Sequence, residues 1–397
     1  MNRAEPVAVT GMGLVSAAGA TLPETLRVLA RGTPVHASPP PFATTHPFPV
    51  FRCPPELGEA MTMPARCSRT AALALAAARE ALSSAGFDSP RETESFRLGV
   101  LVGTSVGASL DFFDFYKARS AGETPSMDAM EEYLAANPAE TLGEYLRCSG
   151  PAVCVTNACS SGADAVGIGA DWIRSGLCDL VLAGGADALS YITYAGFCSL
   201  RLPSASACRP FDARRDGLSL GEGAAFLLLE SEASRAKRNV RAQGFVAGYG
   251  TATDAHHLTA PHPEGLGLAL AVDQAFAQAG ASWDDIAFIN AHGTATRTND
   301  AAEGAFFAAH CPEIPFIATK GATGHTLGAA GALEAVLTAA HLDAGELPPS
   351  PGFREPDPAI GLAPVSEPTP VRGRFALSQS LAFGGNNSVL LLSGGGS

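Results

Sequence analysis

One pattern occurs twice in this chain: an apolar strand, a sharp turn and a helix of small residues. It reads PAVCVTNACSSGADAVGIGADWIRSG over residues 151–176 and IPFIATKGATGHTLGAAGALEAVLTAAHLDAG over residues 314–345. A second pair, LGVLVGTSVG from Leu98 and IAFINAHGTAT from Ile286, repeats in the same way. Strands that alternate with helices predict parallel or mixed sheets covered by helical layers. The repetition therefore predicts an α/β protein of two similar halves, residues 1–240 and 241–397.

Size and composition agree with a duplicated architecture. A chain of 397 residues is longer than one hydrophobic core usually serves. Hydrophobic residues make up 46% of it and charged residues 16%, which is typical of a well-buried globular protein rather than a disordered one. The 43 glycines predict close approaches between backbones.

Charge and cysteine content narrow the functional classes. A net charge of −13 argues against a nucleic-acid binder. No apolar run reaches the roughly 18 residues that a membrane helix needs, and we expect no secretory signal at the start of the chain. The nine cysteines form no CxxC pair. They therefore predict reduced thiols in a cytoplasmic protein and no structural zinc site.

Cys159 stands where the first repeated strand turns into its helix. A thiol at a helix N-terminus faces unpaired backbone N–H groups and the positive end of the helix dipole. Both features favour the thiolate, so we expect a lowered pKa and a nucleophile. Most cysteines are inert and buried, and we expect this of the other eight. The small residues around Cys159, Gly162 among them, favour a functional role here.

Two histidines and a lysine occupy equivalent positions in the second half. His292 follows the apolar strand IAFIN, whereas Lys320 and His325 lie in the turn TKGATGH before a helix. Each histidine alone would more often be a packed or capping residue. Because the carboxyl ends of parallel strands converge on ligand sites in α/β proteins, we expect both to meet Cys159.

The same residues allow other chemistry. Cys159, His292 and Asn290 would suit a papain-like hydrolase, but that scheme leaves His325 without a role. The segment DAHHLTAPHPEG gathers His256, His257, His262 and Asp254, a possible metal-binding set. Adjacent histidines on a loop point in different directions, and no cysteine completes a tetrahedral site. We interpret this segment as a loop that packs at a dimer interface or at the entrance of the active site.

The motifs together resemble β-ketoacyl-acyl-carrier-protein synthases of the Cys-His-His type. The resemblance runs from VAVTGMGLVSAAG through CRPFDARRDGLSLGEGAAFLLLE and DAHHLTAPHPEG to SLAFGGNN, which is nearly the whole chain. It implies a thiolase-like fold, a five-layer α-β-α-β-α sandwich of duplicated halves. The first half would carry the nucleophilic cysteine, and the second the two histidines and the lysine. It also implies a homodimer, with a heterodimer containing a chain-length-factor-like subunit as the alternative.

The resemblance implies a reaction as well: decarboxylative Claisen condensation of malonyl-carrier with an acyl group on Cys159, in fatty-acid or polyketide biosynthesis. His292 and His325 would hold the malonyl thioester and assist decarboxylation. Lys320 would organise the site through hydrogen bonds with Glu303. The partner would be an acyl carrier protein, whose 4′-phosphopantetheine arrives with the substrate, so no separate cofactor and no metal are expected.

Further roles follow from the same resemblance. The backbone N–H groups of Cys159 and Phe383 would form an oxyanion hole, with Phe383 also acting as a gate. The remaining assignments are the pantetheine-binding hydroxyls Thr294 and Thr296, the acyl-pocket residues Phe197 and Gly107, and the carrier-docking arginines Arg66, Arg69 and Arg201.

Three residues depart from the family pattern: Ala295 in HGTAT, Gly321 after the lysine, and Ala382 in AFGG. They leave the catalytic atoms in place and predict altered loops around the acyl chain. A specialised polyene or polyketide substrate is therefore one possibility; the chain length stays open. Two related classes are disfavoured. A non-catalytic chain-length-factor-like subunit would lack Cys159, and a thiolase would need a cysteine beyond Cys311, the last one here.

Overall fold

A computed structural model describes residues 4–32, 35–54, 67–105, 107, 113–128, 130 and 137–395. The strands are β1 Val7–Val15, β2 Leu98–Gly103, β3 Ala152–Val155, β4 Leu180–Asp187, β5 Gly223–Glu230, β6 Gly244–Thr253, β7 Ile286–Asn290, β8 Phe316–Ile317, β9 Glu346–Leu347, β10 Thr369–Pro370, β11 Phe375–Ala382 and β12 Asn386–Gly394. The α-helices are α1 Leu22–Leu29, α2 Arg69–Ser84, α3 Phe113–Ser120, α4 Pro138–Leu146, α5 Ser161–Arg174, α6 Tyr191–Ser199, α7 Glu232–Arg238, α8 Leu266–Ala279, α9 Arg297–His310, α10 Lys320–Thr323 and α11 Ala330–Ala344.

Ten of these strands form one mixed sheet in the described part of the chain, in the order β3-β2-β4-β5-β1-β6-β12-β11-β7-β8. The first five come from the first half of the chain and the last five from the second half. The two sets meet where Val7–Val9 of β1 pairs with residues 244–246 of β6. Each half therefore builds its own five strands. The exact division near residue 240 stays a prediction.

Helices cover both sheet segments and also fill the space between them. α2 packs on the outer face of the first five strands, whereas α8 packs on the outer face of the second five. α5 and α11 contact strands of both halves and each other. The order of layers is thus helix, sheet, helix, sheet, helix. The five-layer thiolase-like sandwich expected from the sequence is confirmed.

The two central helices approach each other closely because both carry glycine at the crossing. A Cβ atom on Gly162 of α5 would lie 2.8 Å from the carbonyl oxygen of Gly328 and 2.9 Å from the backbone nitrogen of Ala332. A Cβ atom on Gly331 of α11 would lie 2.8 Å from the Cβ of Ala163. Atoms at such distances would overlap, so the small residues of the repeated helices are what permit the central layer.

The strand directions bring the candidate residues together. β2 is parallel to β3 and β4, and β7 is parallel to β8 and β11. Cys159 follows the end of β3, His292 the end of β7 and Lys320 the end of β8. Carboxyl ends of strands from both halves therefore face one region between the halves, as the sequence predicted. None of the helices in the described ranges combines the length and apolar character that crossing a bilayer requires.

Candidate active site

Cys159 lies in a tight turn between β3 and α5. Ala158, immediately before it, has a left-handed backbone with φ 50°. Ser161 holds the turn, because its Oγ accepts a hydrogen bond from Asn157 N at 2.8 Å and donates one to Ala158 O at 2.6 Å. Ser105 Oγ donates to the same carbonyl oxygen at 3.0 Å. The turn leaves Cys159 only 6% exposed, at the base of a cavity.

His292 and His325 face this sulfur. The Cys159 Sγ and one ring nitrogen of each histidine all lie within 4.8 Å of one another. His325 Nε2 is 3.2 Å from the sulfur. The two imidazole rings are nearly perpendicular, with centroids 5.2 Å apart. All three side chains are buried. Residues from both halves of the chain therefore form one cluster, as the sequence predicted.

The charge states of this cluster differ from the sequence expectation. Burial raises the pKa of the Cys159 thiol to about 11, although the charge of Lys320 and a hydrogen bond from the Phe383 backbone lower it. Burial and then Lys320 hold the pKa of both imidazoles well below the usual value. The expectation of a lowered thiol pKa is wrong, because desolvation of the sulfur outweighs these opposing effects. The resting pair at neutral pH is an uncharged thiol beside an uncharged imidazole.

Lys320 is fully enclosed behind His292. Its Nζ lies 3.2 Å from His292 Nδ1 and donates to the His292 carbonyl oxygen and to Glu334 Oε1. The predicted hydrogen-bond network with Glu303 runs through the backbone of His292, whereas the direct carboxylate partner of Lys320 is Glu334. Glu334 takes that place because it projects from α11 toward the lysine. The sequence carries a signal for this role, because Glu334 is the single acidic residue within the apolar run AAGALEAVLTAA. The role of Glu334 was not among the predictions.

Glu303 supports the site in a different way. From α9 it accepts hydrogen bonds from the backbone N–H groups of His292 and Gly293, both at 2.7 Å. The side-chain amides of Asn299 and Gln379 also donate to it, each at 2.7 Å. Burial raises the pKa of Glu303, and these donors oppose that rise. The carboxylate thus fixes the backbone that carries His292, while Lys320 contacts the ring.

Phe383 comes from the hairpin between β11 and β12. Its backbone donates a hydrogen bond to the Cys159 sulfur. Gly384 and Gly385, which follow it, have φ values of 89° and 80°, a conformation that favours glycine. The Phe383 ring stacks on Phe197 of α6, with centroids 5.6 Å apart and an angle of 26° between the planes. The hairpin therefore brings a backbone donor and an aromatic wall to the sulfur.

The cavity above Cys159 contains most of the predicted binding residues. Thr294 and Thr296 line it, and their Oγ1 atoms are 2.9 Å apart. Its wall in the described part of the chain consists of Cys159, Phe197, Leu202, Leu218, Asp254, Thr259, Pro261, His292, Thr294, Thr296, Thr298, Asn299, His325, Leu381, Ala382 and Phe383. Gly107 is not in this wall, and its N–H donates to Thr104 Oγ1 at 2.9 Å. The pocket role of Gly107 stays a prediction.

The three docking arginines have different surroundings. Arg66 lies outside the described residues. Arg69 pairs with the buried Glu222 at 2.8 Å, so its charge is already partnered within the chain. Arg201 is exposed and immediately precedes Leu202, which lines the cavity. Of the two described arginines, Arg201 is the one placed beside the cavity.

The histidine-rich loop lies against the hairpin of Phe383. Asp254 N donates to Gly385 O, and Gly384 N donates to Leu258 O, both at 2.8 Å. Thr259 and Pro261 line the cavity. His262 Nδ1 accepts from Glu264 N at 3.2 Å, so this nitrogen already has a partner. The loop packs at the entrance of the cavity, one of the two positions expected for it.

The papain-like arrangement is not formed. Asn290 Nδ2 donates to Glu334 O at 3.2 Å and to Thr338 Oγ1 at 3.1 Å, on the side of the sheet where α11 packs. A hydrolase triad would need this amide to orient His292. His292 is oriented by Lys320 instead.

The structure gives a steric reason for one of the three departures from the family pattern and a conformational cost for another. A Cβ atom on Gly321 would lie 1.9 Å from Pro351 O, so a side chain there would require the loop that carries Pro351 to move. Ala295 is fully buried with φ 66°, a conformation that costs an alanine about 1–2 kcal/mol. Nothing in the structure explains Ala382. The altered positions lie around the catalytic atoms without displacing them.

Family comparison agrees with this geometry. The family model "Beta-ketoacyl synthase, N-terminal domain" matches residues 4–235, and "Beta-ketoacyl synthase, C-terminal domain" matches residues 243–354. The tetracenomycin polyketide synthase ketoacyl synthase alpha subunit of Streptomyces glaucescens is 36% identical over 348 residues, which cover 82% of this chain and 80% of that protein. The 3-oxoacyl-[acyl-carrier-protein] synthase 2 of Staphylococcus aureus is 33% identical over 340 residues, 82% and 84% of the two chains.

Solved structures give the same result. The ishigamide ketosynthase/chain length factor superposes with a TM-score of 0.90 at 33% identity, covering 98% of this chain and 99% of that one. A beta-ketoacyl synthase from Burkholderia phymatum STM815 gives 0.88 at 30% identity with the same coverages. The chain belongs to the β-ketoacyl synthase family, which confirms the resemblance seen in its motifs. It is a condensing enzyme of the acyltransferase type.

Proposed function

We propose that this protein is a 3-oxoacyl-carrier synthase that holds an acyl group on Cys159 and extends it with malonyl-carrier. The observation that carries the proposal is the cluster of one sulfur and two neutral imidazoles at the base of a single cavity. No separate cofactor is required, because the 4′-phosphopantetheine thiol arrives with the carrier protein. Thr294 and Thr296 offer hydroxyls to that arm.

Acyl transfer begins with the neutral pair. As the sulfur attacks the acyl thioester, its proton passes to His325 Nε2, 3.2 Å away. The thioester bond to pantetheine breaks, and the departing thiolate takes that proton. A thiol with a raised pKa therefore needs no free thiolate in the resting enzyme. The backbone N–H groups of Cys159 and Phe383 face the oxygen that becomes negative.

Decarboxylation then uses the histidines as hydrogen-bond donors. Lys320 Nζ donates to His292 Nδ1, so the proton of this neutral ring lies on Nε2. That N–H stabilises the enolate left when the malonyl C–C bond breaks and CO2 departs. His325 becomes a second donor once acyl transfer is complete and its single proton lies on Nε2 rather than on Nδ1. The enolate carbon attacks the acyl-cysteine, a new C–C bond forms, and the C–S bond breaks. The Cys159 thiolate then takes a proton from water.

The substrates and one exposed edge of the sheet indicate the partners of this protein. An acyl carrier protein is the donor of both substrates; one similar ketosynthase structure, at 25% identity, is described as bound to its acyl-carrier protein. β3 is one of the two terminal strands of the sheet, and Val153 on it is 40% exposed. We assign this edge to a second ketosynthase-like subunit, either a copy of this chain or a chain-length-factor-like protein. The nine free cysteines fit a cytoplasmic enzyme.

The decisive experiment loads the protein with a panel of acyl-carrier thioesters and measures intact mass. We expect one acyl group on Cys159 and 3-oxoacyl-carrier after malonyl-carrier is added. Cys159→Ala should abolish both. Cys311→Ala, which removes a thiol buried to the same degree (5% against 6% exposed), should abolish neither. Undiminished condensation by Cys159→Ala would overturn the proposal, and the acyl group that loads would identify the substrate class.

A further inference from the structure

Asp164 is a buried carboxylate on the first turn of α5, and both of its oxygens are fully used. It is 3% exposed. Asn157 Nδ2 donates to Oδ2 at 2.7 Å, and Ser160 Oγ donates to the same oxygen at 2.9 Å. Tyr249 OH donates to Oδ1 at 2.8 Å, and Ser388 Oγ also donates to Oδ1. The proposed reaction assigns no role to this carboxylate.

The four donors fall into two groups. Asn157 and Ser160 flank Cys159 in the turn between β3 and α5. Tyr249 lies on β6 and Ser388 on β12, so both belong to the second half of the chain. Burial raises the pKa of Tyr249, with the Asp164 charge as a second cause, so the phenol keeps its proton and remains a donor. Asp164 therefore joins the nucleophile turn of one half to two strands of the other.

β12 is also the strand that continues from the Phe383 hairpin. Ser388 follows Phe383 by five positions in the sequence, with Gly384 and Gly385 between them. Both glycines have positive φ, and the histidine-rich loop restrains them through Gly384 N and Gly385 O. A hydrogen bond from Ser388 to Asp164 fixes where β12 starts relative to the Cys159 turn. We infer that this bond, together with the bonds of the histidine-rich loop to Gly384 and Gly385, sets the distance between the Phe383 N–H and the sulfur.

We propose that Asp164 is a positioning residue for the oxyanion hole: it ties the Cys159 turn and the Phe383 hairpin into one rigid frame. The inference rests on the proposed function, because the oxyanion hole matters only for acyl transfer and condensation. A pair of backbone donors from separate halves of a chain stabilises a developing oxyanion only if their spacing is held before the reaction. Asp164 touches neither substrate nor sulfur and acts through its partners.

Two variants test this without removing the carboxylate. Ser388→Ala and Tyr249→Phe each delete one donor from the second half and leave the turn hydrogen bonds intact. Matched controls exist for both. Ser380→Ala removes the hydroxyl directly opposite Ser388 in the β11–β12 ladder, and Tyr145→Phe removes a phenol that accepts from Arg79 at 2.7 Å.

We expect Ser388→Ala to lower kcat about tenfold, because the donor is displaced and not removed. The double variant should lower kcat about a hundredfold, the lower end of the range for complete loss of an oxyanion donor. KM for malonyl-carrier should stay nearly unchanged. The pH profile of Cys159 alkylation by iodoacetamide should shift to higher pH in both single variants, because the hydrogen bond from Phe383 lowers the pKa of the thiol. A purely structural role would lower the melting temperature and leave this profile in place.

Unchanged kcat and unchanged alkylation profiles in folded Ser388→Ala and Tyr249→Phe would overturn the positioning role, whatever their melting temperatures. If Ser388→Ala does not fold, the Tyr249→Phe profile against Tyr145→Phe decides alone. If the wild type makes no 3-oxoacyl product but the alkylation profiles shift, the proposed function fails and the coupling through Asp164 stands.

Discussion

His325 Nε2 lies 3.2 Å from Cys159 Sγ, although 166 positions separate the two residues in the sequence. The contact exists because β3 and the turn before α11 end at the same edge between the halves. Its chemical consequence is that the thiol can lose its proton to a neighbour at the moment of attack. An activated thiolate in the resting enzyme is then unnecessary.

This predicts slow alkylation of the resting enzyme. Because burial raises the pKa of Cys159 to about 11, the thiol is protonated at neutral pH. The rate of reaction with iodoacetamide should rise about tenfold for each pH unit until the pH approaches that value. Stopped-flow alkylation with mass mapping of Cys159 measures it. A plateau at or below neutral pH would contradict the raised pKa and restore the expectation drawn from the helix terminus.

Lys320→Met should remove both the ring contact to His292 and the countercharge of Glu334. We expect a loss of about 3–5 kcal/mol of stability, since a buried carboxylate is left without its partner, and a large loss of kcat. The double variant Lys320→Met/Glu334→Gln should regain stability but not activity. Thermal melting and steady-state kinetics measure the two quantities separately. Recovery of kcat in the double variant would show that Lys320 does not orient His292.

Gly162→Ala should destabilise the protein by about 1–3 kcal/mol, the usual cost of overpacking. The new methyl group would lie 2.8 Å from Gly328 O, where α5 crosses the start of α11. The matched control is Gly196→Ala in α6, where a Cβ atom meets nothing within 4 Å. There we expect about 0.5–1 kcal/mol of added stability from helix propensity. Equal unfolding free energies for the two variants would contradict the tight crossing.

The buried imidazole of His341 should make the folded state sensitive to acid. Burial alone lowers its pKa from 6.5 to about 4. The folded state therefore disfavours the protonated ring, so the contribution is complete above about pH 6.5 and is lost as the pH falls toward 4. The loss amounts to about 3 kcal/mol. His341→Leu should flatten this part of the curve of unfolding free energy against pH, whereas His36→Leu at an exposed site should leave it unchanged. An unaltered slope in His341→Leu would contradict the assignment.

Arg201 and Arg69 should respond differently to charge reversal. Arg201→Glu should raise KM for carrier-bound substrates and weaken their salt dependence, because an exposed charge beside the cavity is lost. Arg69→Glu should instead lower the melting temperature, because the buried Glu222 loses its ion pair. Kinetics at two ionic strengths and thermal melting distinguish them. If Arg69→Glu raised KM and Arg201→Glu did not, the carrier protein would dock at Arg69 and not at Arg201.

Local signals in the sequence were sufficient for several conclusions. The repeated strand, turn and small-residue helix predicted two α/β halves. The spacing of apolar residues and the positions of glycines are local properties that the sequence shows directly. The same repetition located Cys159, His292, Lys320 and His325 at strand ends. The family resemblance in the motifs then supplied the five-layer fold and the reaction class.

Only the tertiary structure decided which groups touch and how strongly each is desolvated. Lys320 pairs with Glu334 rather than Glu303 because α11 passes behind the lysine, a relationship between segments that no local pattern encodes. The pKa of Cys159 rises rather than falls, because the depth of burial depends on atoms from both halves. Asp164 likewise joins the halves through Tyr249 and Ser388. Sequence spacing fixes which residues reach a strand end, whereas packing fixes the distances and dielectric surroundings that determine their chemistry.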